Sequence, residues 1–321
     1  MRISIAMATY NGAKYLQEQL DSFLCQTRQP DEFVVCDDGS TDATLAILDD
    51  FRLRVPFSVR IYRNEKNLGY IKNFENALSL CTGDVIFLSD QDDVWFSNKL
   101  SAMVAVLEMR PDIFVLQTDM VLAGEDLTPS PYTQLGNILS LGYRPETFIT
   151  GCGTVLRKTW LDLVLPIPAD VAAHDDWIHR LAVALGVRAL HEKPLQYYRR
   201  HGGNASNWGV SQLAKMSNLD SLRAHGFLDA TDGWKREHNR VRATWRRLDE
   251  RYETVKDIGL ADRQPWALFE LDRQTNALCS RIQNMTLSRF KRFPRLLIMW
   301  MRGGYSQFAG WKSVVKDILR P

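Results

Sequence analysis

The chain has 321 residues, 45% of them hydrophobic and 24% charged. That balance excludes a disordered polypeptide and leaves room for one large α/β domain with a smaller appendage. The formal net charge of +2 hides an uneven distribution: residues 1–205 carry 19 Lys+Arg against 26 Asp+Glu, residues 206–321 carry 21 against 12, so the two parts hold −7 and +9. An acidic front with a basic rear argues against a nucleic-acid groove along the whole chain and points to two tasks.

Short apolar runs at residues 3–8, 33–36, 59–62, 85–89 and 113–117 read as strands buried on both faces. Segments of helical period separate the earlier ones: residues 13–25, 42–51 and 70–80 each place their apolar side chains on one side. Strand alternating with helix predicts parallel βαβ units with helices on both sheet faces. A second block opens near Thr150, with a strand expected over 150–156, a helix over 174–185 and a strand over 187–198. Beyond about residue 205 strand signals stop and helices rich in Arg and Trp follow, with weak breaks at Gly226, Gly233, Gly259 and Gly303-Gly304. The expected organisation is a domain over 1–205 and a basic helical region over 206–321. Five widely spaced cysteines without a CxxC pair suit reduced, buried thiols in the cytosol. No secretion signal is visible at the start. The longest apolar run near the C-terminus, residues 296–301, is far short of the roughly 20 residues that span a bilayer.

Three polar clusters directly follow strands: Thr9-Tyr10-Asn11, Asp37-Asp38-Gly39-Ser40 and Ser89-Asp90-Gln91-Asp92-Asp93. In parallel α/β sheets the ligand sits beyond the C-terminal strand ends, so the three converge on one crevice. Asp90 and Asp92 can share one hard divalent cation, Mg²⁺ or Mn²⁺, which would neutralise a departing diphosphate. By spacing alone, a solvated acidic turn accounts for them equally well. Asp93 and Trp95 are expected to wall the pocket. In Asp37-Asp38-Gly39-Ser40-Thr41-Asp42 capping explains the second half, and a strand-tip carboxylate is left to meet a nucleobase or ribose. His174-Asp175-Asp176-Trp177 opens a helix, where its carboxylates serve either as helix-start acids or as a general base. His201, on a Gly-rich bend, suits a metal or phosphate ligand and equally a surface loop.

Taken in order, Met7-Ala8-Thr9-Tyr10-Asn11-Gly12, Asp37-Asp38-Gly39-Ser40-Thr41-Asp42, Asn64-Glu65-Lys66-Asn67-Leu68-Gly69, Ser89-Asp90-Gln91-Asp92-Asp93-Val94-Trp95, His174-Asp175-Asp176-Trp177 and Tyr198-Arg199-Arg200-His201-Gly202-Gly203-Asn204 resemble the family 2 glycosyltransferases. The resemblance is closest to bacterial rhamnosyltransferase-like enzymes of O-antigen and capsule synthesis. It implies a GT-A fold, α/β with a mostly parallel sheet, followed here by a C-terminal helical extension. It also implies an inverting single displacement from a nucleoside diphosphate sugar, with dTDP-rhamnose as the first candidate donor and UDP-hexose or UDP-HexNAc as alternatives; a non-catalytic nucleotide-sugar-binding scaffold is the competing class. On this resemblance Thr9, Tyr10, Asn11, Asp38, Asn67, Lys72 and Asp90 hold the donor. Asp90, Asp92 and His201 form the metal site, Asp175 is the base, and Asp176 and Trp177 border the pocket with Asp93 and Trp95. The family's branch commonly has two aromatics after the His-Asp pair, whereas Asp176 precedes Trp177 here, which leaves Asp175 and Asp176 as rival bases. Asp175 is preferred.

From Arg281 onward nine Lys+Arg face one acid, Asp317, and alternate with Phe290, Phe293, Trp300, Tyr305, Phe308 and Trp311. Such a mixture suits the headgroup layer of an anionic membrane, where a glycan or polyprenyl-diphosphate-linked acceptor would reside. Packing onto the front domain and oligomer contact are the alternatives for residues 281–321. Nucleic acid is not an expected partner. The expected place is the cytoplasm, at the inner face of the cytoplasmic membrane.

Overall fold

Strands without a solvent face organise the front half. In a computed structural model, residues 1–204, 213, 231–308 and 310–320 are described. Strands β1 (Ile3–Thr9), β2 (Glu32–Asp37) and β4 (Val85–Ser89) are buried at almost every position, and β3 (Ser58–Arg63) forms the half-exposed edge. β1 pairs in parallel with β2 and β4, and β2 with β3. The crossovers are α1 (Ala13–Leu24), α2 (Thr44–Arg54) and α3 (Tyr70–Leu80). Leu16, Leu20 and Phe23 repeat along one face of α1 and meet Ile5, Met7, Phe33 and Phe87 in the main core.

Past β4 the sheet turns mixed. After β5 (Val94–Trp95) and α4 (Lys99–Met109) come β6 (Val115–Ala123), β7 (Pro129–Thr133), α5 (Gln134–Ser140), β8 (Thr154–Arg157), the one-turn α6 (Leu161–Val164), α7 (His174–Ala184) and β9 (Arg188–Arg199). The order across the sheet is β3-β2-β1-β4-β8-β6-β9-β5, with β7 on β6. β8 runs antiparallel to both β4 and β6, whereas β9 runs parallel to β6. A second core cluster, with Met120, Leu122, Ile138, Phe148 and Cys152, fills the space beside β6.

Several elements differ from the sequence pattern: β3 is a half-exposed edge rather than a strand buried on both faces, and β5, β7 and α5 gave no signal. The strand expected at 113–117 starts at Val115 and continues to Ala123 because its buried polar side chains find partners: Thr118 Oγ1 donates to Lys193 O, and Asp119 Oδ1 accepts from the Met120 and Leu135 amides. The strand expected at 150–156 begins only at Thr154, since Gly151-Cys152-Gly153 forms a 3₁₀ turn. Helix α4 gave no periodic signal because its apolar residues go nearly all round, and even Lys99 is fully buried.

The chain divides into two compact units, residues 1–217 and 218–321. The second contains α8 (Thr231–Glu250), α9 (Tyr252–Asp257), α10 (Gln264–Met285), α11 (Arg289–Met301) and α12 (Trp311–Leu319). Its core combines Ala277, Leu296, Met299, Tyr305 and Val314 with a buried ion pair: Arg281 makes two hydrogen bonds to Asp317 (2.6 and 2.9 Å), which also accepts from Tyr305 Oη at 2.9 Å. The boundary expected near residue 205 and the break at Gly226 lie outside the described residues. No described helix is long and apolar enough to cross a membrane.

Candidate functional site

The C-terminal ends of β1, β2 and β4 lie side by side and deliver Thr9, Asp37-Asp38 and Ser89-Asp90 to one edge of the sheet. Asp37 is buried and turns the chain back on itself: it accepts from Thr9 Oγ1 (2.9 Å), the Gly39 and Ser40 amides (3.2 and 2.8 Å) and Ser40 Oγ (2.5 Å). Gly39 takes φ +84°, which a side chain would strain. Asp38 accepts from the Leu68 and Gly69 amides (2.8 and 2.9 Å) and from Asn64 Nδ2 (2.9 Å), drawing the 64–69 loop onto the rim.

These groups open on a cavity of about 610 Å³. Thr9, Tyr10, Asp38, Asn67, Asp90, Asp92 and Asp175 all line it, together with Gln91, Tyr70, Phe74, Thr150, His174 and Asn204. Gln91 grips the Tyr10 backbone at both ends, accepting from its amide (3.0 Å) and donating to its carbonyl (3.1 Å). Asn73, largely buried in the wall, donates to the Thr9 and Cys36 carbonyls and ties α3 to β1 and β2. Asp175, at the start of α7, accepts from the Asp176 amide at 2.8 Å. Asp176 points elsewhere, held by Arg180 Nε through both oxygens at 2.9 Å.

Several expected residues lie outside this lining. Lys72 donates to Glu75 and to Ile167 O. Trp95 is core, packed on Phe23 and Phe87 with the Lys99 ammonium 3.8 Å above its ring. Trp177 is buried and donates to Val164 O. Asp93 is fully buried and accepts from Gln196 Nε2 and the Arg199 amide; burial, then the nearby Asp92, lifts its carboxyl to about 7. Asn11, at φ +46°, accepts from the Thr41 amide and borders a neighbouring cleft of about 390 Å³ with Lys14, Tyr15, Glu125 and His201.

His201 acts on Asp92. Its Nδ1 accepts from the Gly203 amide (3.1 Å), which leaves the proton on Nε2 to donate to Asp92 Oδ2 at 2.8 Å. Asn204 Nδ2 adds a contact to the same oxygen, and Arg199 Nε donates to the Asp92 carbonyl. Both ring nitrogens of His201 are therefore engaged, Nε2 by Asp92 and Nδ1 by the Gly203 amide, and metal ligation through Nε2 would need the bond to Asp92 broken.

The donor set can be tested for a cation. Among the described residues, the group of three potential ligands with donor atoms within 4.8 Å of one another is Asp90, Asp93 and Cys152. Asp93 has both oxygens engaged, and burial pushes the Cys152 thiol far up, so neither suits a hard ion. Asp90 differs: burial and then Asp92, Asp93 and Asp175 drive its carboxyl well above the usual range. Carboxylates crowded at the floor of a cavity are the donor type that a hard divalent cation takes, and both Asp90 and Asp92 line this one.

The glycosyl transferase family 2 model matches residues 4–165. The chain belongs to glycosyl transferase family 2. An uncharacterized glycosyltransferase of Nostoc sp. is 30% identical over 218 residues, 64% of this chain and 66% of that one, so the chain spans just under two thirds of that relative's length. The dTDP-rhamnosyl transferase RfbG of Shigella flexneri is 27% identical across 68% of this chain and 79% of its own. WfaP of Escherichia coli, a UDP-Glc:α-D-GlcNAc-diphosphoundecaprenol β-1,3-glucosyltransferase, is 26% identical across 68% and 84%. S. aureus TarS 1–349, solved with UDP-GlcNAc, aligns with a TM-score of 0.56 at 16% identity, covering 99% of this chain and 90% of that one. The family 2 member described here thus has the GT-A fold expected from its motifs. Sequence motifs marked Asp38, Asp90, Asp92 and Asp175, which line the cavity; Gln91 and Arg199 stood in the motifs without a role and Asn73 in none, because their contacts depend on partners distant in the chain.

Proposed function

We propose that this chain transfers a sugar from a nucleoside diphosphate donor to a saccharide or lipid-diphosphate-linked acceptor in bacterial surface polysaccharide synthesis, with inversion at the anomeric carbon. The supporting observation is the single cavity that gathers Thr9, Tyr10, Asp38, Asn67, Asp90, Asp92 and Asp175 at the C-terminal ends of β1, β2 and β4 and the start of α7.

In this reading Thr9, Tyr10, Asp38 and Asn67 form the nucleoside wall, with Gln91 fixing Tyr10. Asp90 and Asp92 hold Mg²⁺ or Mn²⁺, and a bound cation of that kind supplies charge neutralisation for the diphosphate. His201 and Asn204 aim Asp92. Asp175 takes the proton from the acceptor hydroxyl as that oxygen attacks the sugar carbon and the carbon–oxygen bond to the diphosphate breaks. One displacement inverts the centre. Lys72 and Asn11 act on the rim at most, through the loops they hold.

L-Rhamnose from dTDP-rhamnose is the first candidate donor, supported by the likeness to RfbG; a UDP-hexose is the second, supported by the comparable likeness to WfaP. The name of WfaP also supports a polyprenyl-diphosphate-linked acceptor. The basic region 281–321, with Phe290 94% and Trp311 64% exposed, is proposed to meet the anionic inner face of the cytoplasmic membrane. A donor screen with Mn²⁺ or Mg²⁺, scoring nucleotide release and product from dTDP-rhamnose and UDP-hexoses, tests the activity. Turnover with one donor, abolished by EDTA and by Asp92→Asn, is expected. Silence with every donor overturns the enzyme reading, and transfer undiminished by both treatments overturns the metal assignment.

A further inference from the structure

A second cavity, of about 440 Å³, lies wholly within the helical unit between α10, the end of α11 and the turn after it. Arg273, Arg295 and Arg302 line it, with Asn276, Ser280 and Gln307 among its neutral polar groups, and among the described residues no carboxylate lines it. Arg273 is paired with Glu270 at 2.6 Å. Arg295 and Arg302 have no carboxylate within ion-pair distance among the described residues.

The local backbone keeps the space open, and its positive charge comes from the arginine side chains. Gly303 takes φ +73°, and a Cβ on Gly304 would stand 2.8 Å from Met299 Cγ, so the chain reverses tightly here without a side chain entering the cavity.

Helix α11 sorts its residues by face at 100° per residue. Arg292, Leu296 and Met299 are buried. Phe290, Phe293, Leu297, Trp300 and Met301 share an exposed apolar face, 41 to 94% accessible. Lys291, Arg295 and Arg302 fall on the edge between that face and the buried seam. An apolar face bordered by cations is the pattern of a helix lying in a bilayer surface.

We propose that the Arg273/Arg295/Arg302 cavity is an anion site for a phosphate or diphosphate group, beside a helix that lies on lipid. Planar guanidinium groups match phosphate oxygens two at a time. Two sources share this chemistry, a lipid headgroup phosphate and a soluble phosphate; the lipid source rests on the membrane reading above, the anion chemistry does not.

The full-length chain is titrated with inorganic pyrophosphate in EDTA by calorimetry, and is co-sedimented with phosphatidylcholine vesicles containing or lacking phosphatidic acid. Three proteins are compared: wild type, Arg295→Gln/Arg302→Gln, and Phe290→Ser/Trp300→Ser, each checked for unchanged helicity. The arginine pair is expected to lose at least about tenfold in affinity in one or both arms. Loss with vesicles alone identifies a lipid phosphate, and loss with pyrophosphate as well identifies a site open to any phosphate. Equal binding by wild type and the arginine variant in both arms overturns the proposal. The Phe290/Trp300 variant should lose vesicles and keep pyrophosphate; if it keeps both, the membrane reading fails while the anion site stands.

Discussion

Glu32 begins β2 at the end of the sheet opposite the cavity, and its carboxylate is almost fully buried. It accepts from Ser4 Oγ (2.5 Å), the Thr82 amide and hydroxyl (2.5 and 3.0 Å) and Arg60 Nη2 (2.6 Å), so it joins β1, β3 and the α3–β4 turn. Burial alone would raise its carboxyl, but these donors prevail and bring it from 4.5 to about 2. At about 1.4 kcal/mol per pH unit that gap corresponds to about 3 kcal/mol of stability. Because the folded-state value is depressed, the contribution is complete above pH 4.5 and is lost as pH falls toward 2. Glu32→Gln replaces two anionic acceptors with one neutral oxygen and turns an NH₂ toward other donors. Urea unfolding at pH 7.5 should show a loss of about 2–3 kcal/mol, and at pH 3.5 the gap to wild type should narrow by roughly half, since the unfolded Glu32 is then mostly protonated. A gap below about 0.5 kcal/mol at pH 7.5, or one that widens on acidification, would refute this reasoning.

A Cβ on Gly12 would stand 2.2 Å from Gln91 Oε1, so Gly12→Ala should displace Gln91 from the Tyr10 backbone. Donor KM is then expected to rise several-fold with a melting temperature close to wild type, and steady-state kinetics beside a thermal melt checks both. Arg281→Met leaves Asp317 buried with Arg320 as its remaining cation; the helical unit should lose about 3 kcal/mol or more, read by hydrogen exchange in α10 and α12. His201→Ala removes the donor that aims Asp92, and kcat should fall about tenfold or more while nucleotide affinity, measured by calorimetry, changes less.

The parallel half of the sheet was legible because strands covered on both faces leave continuous apolar runs, as in 33–36 and 85–89. The mixed half was legible in part: α7 and β9 lie where expected, at His174–Ala184 and Arg188–Arg199, but the reach of β6 to Ala123 was not, because β6 carries Gln117, Thr118 and Asp119 in its buried stretch and partners for them come from β9 and α5. At the site, acidic residues at strand ends announced themselves, but the direction of their neighbours did not. Trp95 follows the acidic motif closely yet turns into the core because β5 pairs antiparallel with β9, opposite Gln196. On α7 the period of the helix sends Trp177 and Ile178 inward while His174 and Asp175 border the cavity, a split that adjacency in sequence conceals. Asp38 lines the cavity, and its hold on the 64–69 loop depends on amides 30 and 31 residues away.

The proposed chemistry turns on which of two adjacent carboxylates faces the acceptor: Asp175 lines the cavity, and Asp176 is locked to Arg180. Transfer rates of Asp175→Asn and Asp176→Asn, measured with whichever donor the screen identifies and with donor affinity followed in parallel, test this most directly. The account predicts a fall in kcat of about 10²- to 10⁴-fold for Asp175→Asn with donor binding retained, against a small change for Asp176→Asn. Full-rate transfer by Asp175→Asn would contradict it.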